Sequence, residues 1–341
     1  MAEPRTVLLA HGGGGRLMHE LLAELLPLLS PTAAPPSVLN DAAVLEVEGC
    51  RLAFTTDSFV VTPAFFPGGD IGRLAVCGTV NDLAMVGARP VALSLGLVIE
   101  EGLPRETLER VLRSVAAAGA EAGVGVATGD TKVVERGAAD GLFINTAGLG
   151  VVPAGVTLSG DAVQPGDAVL INGTIGDHGL AVLAARQQLG LRGGLTSDCA
   201  PLNSLVEALL AAAGPHLHCL RDPTRGGVAA TLHEVAGQSG VAVQLEEAAL
   251  PVAAPVQGAC ATLGLDPLYV ANEGKALVFV AAEGAAAALE AMRAHPLGRE
   301  AVEIGRVLPR TDDLTAVTMR TALGVVRVVD MPRGELLPRI C

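Results

Sequence analysis

The chain has 341 residues, half of them apolar and 17% charged, enough to fill about two globular domains and too apolar for a disordered segment. A formal net charge of −13, with no Trp and one Tyr, excludes a nucleic-acid partner, since there is neither a basic surface for a polyanion nor a platform of rings for bases. No apolar run approaches the ~20 residues of a membrane span and no signal peptide is read at the N-terminus, so the expectation is a cytoplasmic protein without membrane contact.

A glycine run, Gly12 to Gly15, precedes an apolar-rich helix over 17–29. Backbone N–H groups at such a helix start can approach a phosphate, which singles out Gly14. The plainer alternative is a flexible turn, and the run matches neither GxxxxGK[ST] nor GxGxxG. Strands follow over 44–48 and 51–61, then a helix capped by Asp70 and running to about 86, where Gly87 and Pro90 stop it. A buried strand over 90–99, a helix from 104 to 122, the segment 124–134 and a strand over 142–150 complete the unit. The order β-β-α-β-α-β predicts a sheet layered by helices.

A second α/β unit begins at the strand 168–172. Helices are expected over 180–189, 202–213, 226–238 and 284–294, with strands over 241–245, 276–280, 303–307 and 325–329. The chain thus divides into a glycine-rich loop and helix (1–37), a first domain (38–152), a second α/β domain (153–330) and a tail (331–341). Pro332, Gly334 and Pro338 break regular structure in the tail, which reads as a flexible arm carrying Cys341 at its tip. The six cysteines form no CxxC pair, so neither a zinc ribbon nor a disulfide framework is expected.

Four aspartates of the first domain, Asp41, Asp57, Asp82 and Asp130, sit at or near the ends of apolar elements, beside Asn40, Thr56, Asn81 and Gly129. Hard oxygen ligands on rigid supports suit Mg2+, which also holds phosphates. Each aspartate alone reads as a helix cap or turn residue; four in one domain point to a metal–phosphate site. Lys132 is either a surface strand lysine or a group reaching a phosphate or a reacting carbonyl oxygen. Glu273, in the glycine-bearing loop 271–275, is either a solvated charge or a base. Arg225, before Gly226 and Gly227, is either a loop arginine or a phosphate clamp. His11 and His178 are equally open.

In order along the chain, AHGGGGRLMHELL, NDAAVLE, LAFTTDSFVVTPAFFPGGDIGRLAVCGTVNDLAM, TGDTKVVERG, GTIGDHG, DPTRGGVAATLHE, ANEGK and the final PRIC resemble the HypE family of hydrogenase maturation factors. The likeness runs from about residue 8 to Cys341. The wider superfamily, with aminoimidazole ribonucleotide synthase, selenophosphate synthase and thiamine-monophosphate kinase, uses ATP and Mg2+ through a comparable aspartate set without the cysteine tail. The resemblance implies a two-domain aminoimidazole ribonucleotide synthase-like fold of the α/β (α+β) class, dimerising through its first domains as a homodimer. It implies that Cys341 receives a carbamoyl group through the carbamoyltransferase HypF, that ATP dehydrates the S-carboxamide to an S-cyanide, and that the cyanide passes to iron on a HypC–HypD complex. On that reading Asp41, Asp57, Asp82 and Asp130 hold Mg2+–ATP, helped by Asn81, Gly129, Gly14 and Arg225, while Cys341, Glu273 and Lys132 carry the chemistry. Two alternatives stand beside it: a sibling ATP enzyme acting on a small molecule, and a non-catalytic metal carrier using the tail cysteine.

Overall fold

The computed structural model describes residues 6–29, 38–187, 194–311, 315–334, 337 and 339–341. Residues 30–37, the end of the helix expected over 180–189, and Pro338 of the tail lie outside the described residues. Helix α1 (Arg16–Leu29) precedes a hairpin of β1 (Ala43–Val47) and β2 (Cys50–Phe59). A two-residue ladder of β3 (Phe65–Phe66) and β4 (Gly69–Asp70) feeds α2 (Ile71–Met85). The Asp70 carboxylate caps that helix, accepting from the N–H groups of Gly72 at 2.8 Å and Arg73 at 3.0 Å. Then come β5 (Arg89–Glu100), α3 (Arg105–Ala122), β6 (Val126–Val134) and β7 (Leu142–Val151). The sheet order is β1-β2-β7-β5-β6; only β5 and β6 run parallel, and α3 is their crossover.

The second sheet collects β8 (Ala168–Ile171), β9 (Leu217–Arg221), β10 (Val241–Glu246), β11 (Leu277–Val280), β12 (Val302–Pro309), β13 (Val317–Arg320) and β14 (Val326–Val328) in the order β14-β13-β10-β12-β8-β11-β9. Its helices are α4 (Asp177–Arg186), α5 (Asn203–Ala213), α6 (Gly227–Ser239), α7 (Ala254–Leu263) and α8 (Ala282–Ala294). Every residue of β8 and β11 is buried, as expected of strands covered on both faces. Val169 and Ile171 point into a core with Val228 and Leu232 of α6. Ala168 and Leu170 point the other way, into a core with Leu205 of α5 and Met292 of α8. The α/β class and the two-sheet organisation match the sequence reading. The strands β9 and β13 and the helix α7 were not expected; β9 and β13 have five and four residues, and α7 carries Pro255 and Gly258, so none has a strong periodic signal. No helix among the described residues is long and apolar enough to cross a membrane.

Helix α2 joins the two halves. All of its residues except Arg73 and Asp82 are buried, because it lies on β2 and β7 with one side and meets α5 and β9 with the other. Gly148 permits the close approach: a Cβ there would stand 2.7 Å from Thr79 Cγ2 and 2.9 Å from Leu83 Cδ1. Asn81 bolts the helix to the second domain. Its Nδ2 donates to the carbonyls of Ala200 (3.1 Å) and Glu273 (3.3 Å), and its Oδ1 accepts from Leu202 N–H (2.8 Å). The expectation that Asn81 helps bind a cofactor is therefore corrected. Neighbouring helix residues point about 100° apart, so when Asp82 faces the site Asn81 faces the domain junction. Replacing Asn81 with Ala orphans buried partners and is expected to destabilise the fold by about 2 kcal/mol, read as a lowered unfolding midpoint.

Candidate active site

A cavity of about 890 Å³ opens between α1, the first sheet and the second domain. Carboxylate oxygens of Asp41, Asp82 and Asp222 lie there within 4.8 Å of one another. Asp41 precedes β1, Asp82 is in the last turns of α2, and Asp222 follows β9, so three elements from both domains must meet to form the cluster. Asp57, in β2, lines the same cavity and accepts the Ser58 N–H at 2.7 Å. Thr55 Oγ1 stands 2.7 Å from Asp82 Oδ2 and 3.0 Å from the main-chain oxygen of Asp41. Arg221 comes within 3.2 Å of Asp41 Oδ2 and binds Glu234 at 2.7 Å. Its Nε is nonetheless misaligned with Asp41, and both Asp41 Oδ2 and Arg221 Nε are left without a hydrogen-bond partner.

So much negative charge in one buried place moves the carboxyl groups upward. Burial, only partly offset by Arg221, pushes Asp41 to about 6. Burial and the charge of Asp41 push Asp222 to about 8. Asp82 rises well above the usual carboxylate range through burial, then the charges of Asp222, Asp41 and Asp57. An all-oxygen donor set, an orphaned carboxylate oxygen and an uncompensated charge fit a hard divalent cation such as Mg2+.

Glu273 faces the same cavity from the loop before β11. It is 3% exposed and its Oε1 has no hydrogen-bond partner. Burial, reinforced by Asp222, Asp57 and Asp198, raises its carboxyl well above the ordinary value. The backbone beneath it is fixed: Glu273 N–H donates to Asp198 Oδ1 at 3.1 Å, and Asp198 is held 3.0 Å from Lys275. Arg225 and Gly14 line the cavity too. Gly14 has φ +73 and would place a Cβ 2.6 Å from the Arg225 carbonyl, so only glycine lets the N-terminal loop pack on the Asp222–Gly227 loop. Arg225 Nη1 reaches back to Gly12 O at 3.3 Å. His11 is used locally, its Nδ1 accepting from Leu8 N–H at 2.8 Å.

Cys341 also lines the cavity. Where the sequence reading expects a swinging arm, the structure shows the last residues docked. Val60 N–H donates to Cys341 O at 3.0 Å and Thr62 N–H to Arg339 O at 3.3 Å, antiparallel to the chain leaving β2. Arg339 Nε donates to Val60 O at 2.9 Å and Arg339 Nη1 to Asp140 at 2.7 Å, and Leu337 and Ile340 are buried.

Three expected site residues are elsewhere in this chain. Asp130, Gly129 and Lys132 lie within β6, the edge strand of the first sheet, and do not line the cavity. Asp130 is mid-strand rather than at an element end, and its carboxylate pairs with Lys132 at 2.6 Å in an exposed contact. Asp222, not Asp130, is the third member of the cluster. The sequence signal for it was an acid directly after a buried strand, and that strand, β9, is too short to stand out.

Residues 39–152 match the family model described as "AIR synthase related protein, N-terminal domain", and residues 164–316 match its C-terminal counterpart. The carbamoyl dehydratase HypE of Azotobacter vinelandii is 53% identical over 336 residues, 98% of this chain and 97% of that protein. The chain belongs to the HypE family of carbamoyl dehydratases. A solved HypE in complex with ATP superposes with a TM-score of 0.83 at 50% identity, covering 98% of this chain and 100% of that one. HypE in a HypE–HypF complex gives 0.84 at 47% identity, covering 91% and 99%. The two-domain fold and the enzyme class implied by the sequence motifs therefore stand.

The raised carboxyl groups define a pH response. Elevation above the unfolded value means that the folded, metal-free protein holds protons, and that their stabilising presence is lost as pH rises through about 6 and about 8 for Asp41 and Asp222. A cation competes with those protons. Apparent Mg2+ affinity is expected to rise between these pH values by up to roughly tenfold per pH unit for each proton displaced, with proton release seen by calorimetry in buffers of different ionisation enthalpy.

Proposed function

We propose that this carbamoyl dehydratase acts on a carboxamide carried by its own Cys341, converting it to an S-cyanide with ATP and Mg2+ and supplying the cyanide ligand of a hydrogenase iron centre. The observation that carries this reading is the docking of Cys341 in the same cavity as the Asp41–Asp82–Asp222 cluster and Glu273. The HypE–ATP structure supports ATP as the co-substrate.

An amide oxygen is a poor leaving group, and transfer of a phosphoryl group onto it makes it leave as phosphate. The C–O bond breaks, the oxygen departs with phosphorus, and both N–H protons leave the nitrogen as C≡N forms. Mg2+, when bound by Asp41, Asp82 and Asp222 with Asp57 beside them, screens the phosphate charge. The chain's own groups do the rest. Arg225 and the backbone of the Gly14 loop approach the phosphates. Glu273 accepts an N–H proton. Its elevated basicity suits that task, and a cation on Asp222 and Asp57 removes part of the field that now keeps it protonated. A small-molecule substrate would leave the docking of Cys341 without purpose, and a metal carrier would not need the Glu273 loop.

Loading of Cys341 by HypF is supported by the HypE–HypF complex, and delivery to a HypC–HypD iron complex completes the proposed route. The first sheet favours a homodimer. Leu45, Phe54, Val126, Val133 and Leu149 are exposed on it, and apolar side chains on an uncovered sheet suit a partner surface. In such a dimer β6 of one copy lies beside the other, and Gly129, Asp130 and Lys132 reach the partner's cavity, where Asp130 joins the metal–ATP ligands and Lys132 polarises the carboxamide oxygen.

Two measurements check these statements. Intact mass after incubation with HypF and carbamoyl phosphate is expected to show a carboxamide on the Cys341 peptide, then loss of one water on adding Mg2+–ATP. Cys341→Ala gains no adduct, Asp82→Asn stops before water loss, and Glu273→Gln binds ATP but retains the carboxamide. Second, mixing inactive Asp82→Asn and Asp130→Asn proteins under exchange is expected to restore about a quarter of wild-type turnover, because half of the random dimers carry one intact site. No recovery would place Asp130 in its own subunit's function, and an active Asp130→Asn protein would remove it from the site.

A further inference from the structure

The chemistry of the cavity leaves His178 unused. It lies at the start of α4, is fully buried, and does not line the cavity. Its ring stands edge-on to Phe66, centroids 5.4 Å apart at 89°. Nε2 is 2.6 Å from the main-chain oxygen of Ile340, and Nδ1 is 2.8 Å from Ser197 Oγ. A carbonyl only accepts, so Nε2 carries the proton. Burial lowers the affinity of the ring for a second proton, so Nδ1 accepts from the Ser197 hydroxyl. Ser197 Oγ in turn accepts the Cys199 N–H at 3.1 Å. The Ile340 carbonyl selects this tautomer, and the Ser197 hydroxyl, anchored in the second domain, complements it.

The contact falls on the peptide carbonyl just before Cys341. On the other side of Cys341, Val60 N–H holds its main-chain oxygen. With both neighbouring groups held, the thiol keeps little freedom beyond rotation about χ1, which sweeps the sulfur through a small arc in the cavity. The next residue of α4, Gly179, packs closely on both the second domain and the tail: a Cβ there would stand 2.6 Å from Val270 Cγ1 and 3.3 Å from Leu337 Cδ1.

We propose that His178 is a positioning residue of the dehydration: its Nε2–H, aimed at the Ile340 carbonyl, registers the docked tail so that the group on Cys341 stops beside Glu273, and breaking that bond frees the tail for loading. The proposal rests on the reading of Cys341 as the carrier. Because His178 reads backbone, the register it sets is independent of what Cys341 carries, so one latch serves both the carboxamide and the cyanide.

The test compares His178→Leu, which removes the donor, with His178→Gln, whose amide N–H takes the Nε2 position. Iodoacetamide labelling of the full chain is followed by mass spectrometry, with exposed Cys50 as internal reference. His178→Leu is expected to raise the labelling rate of Cys341 about tenfold relative to Cys50, and His178→Gln to return it to within about threefold of wild type. In single turnovers His178→Leu slows water loss from the loaded tail by a similar factor while loading by HypF is unchanged or faster. That opposite response separates positioning from general damage. Wild-type labelling in His178→Leu, no rescue by Gln, or equal slowing of both steps would overturn the proposal. If His178→Leu labels buried Cys219 as fast as Cys50, it has unfolded, and Ser197→Ala takes its place; freeing the tautomer is expected to raise Cys341 labelling about threefold, and no rise overturns the proposal. Failure of loaded wild-type protein to lose water with Mg2+–ATP would instead remove the carrier reading, leaving the labelling contrast as a separate test of the latch.

Discussion

Electrostatic repulsion among Asp41, Asp82 and Asp222 is the constraint on which the rest of the structure turns. Three carboxyl groups share one small space with Arg221, whose Nε fails to align with Asp41 and whose Nη2 is taken by Glu234. Left alone, such a cluster must hold protons or stay apart. The fold prevents separation, because β1, α2 and β9 bring the acids from both domains and α2 is packed on all sides. The strain is therefore expressed as proton affinity, and a divalent cation relieves it. Asn81, one residue before Asp82, fastens the helix to the second domain and so keeps the acids together.

The same junction receives the tail. Arg339 and Cys341 are held through main-chain atoms of Val60 and Thr62, Arg339 also by Asp140 and Arg186, and Ile340 by His178. Short strand-like pairing of this kind is specific in register but small in extent. A few hydrogen bonds and two buried side chains, Leu337 and Ile340, suit a segment that must be precise when docked and able to leave. A longer pairing would trap the thiol; none at all would leave its position to chance.

Much of this was legible in the sequence, and the omissions have physical reasons. The Asp70 cap and the stop at Gly87 and Pro90 gave α2, and with it Asp82; apolar runs gave β8 and β11. The site was harder to read, because which acids converge depends on which faces meet. Asp82 and Asn81 are adjacent in sequence but diverge around the helix, so one enters the cluster and the other the domain junction. Asp222 was hidden behind a five-residue strand with His and Arg in it. The docked tail could not be read either: prolines and a glycine mark the loss of regular local structure, whereas docking depends on carbonyls and N–H groups 280 residues away in sequence, about which local propensity carries no information.

Asp130 and Lys132 show the same limit from the other side. Their positions in the sequence suggested an aspartate for metal and a lysine for phosphate or a carbonyl oxygen, yet within one chain they satisfy each other on an exposed edge strand. An exposed ion pair of this sort contributes little stability. Strand β6 is moreover an open edge with Val126 and Val133 bare beside them, and such edges are ordinarily covered or blunted. A second copy laid against this sheet covers the valines and moves the pair from solvent to a protein interface. There the charges gain partners that an isolated chain cannot offer. On that argument the proposed site would be split between subunits, and the weak self-pairing of Asp130 and Lys132 would let them exchange one another for a substrate.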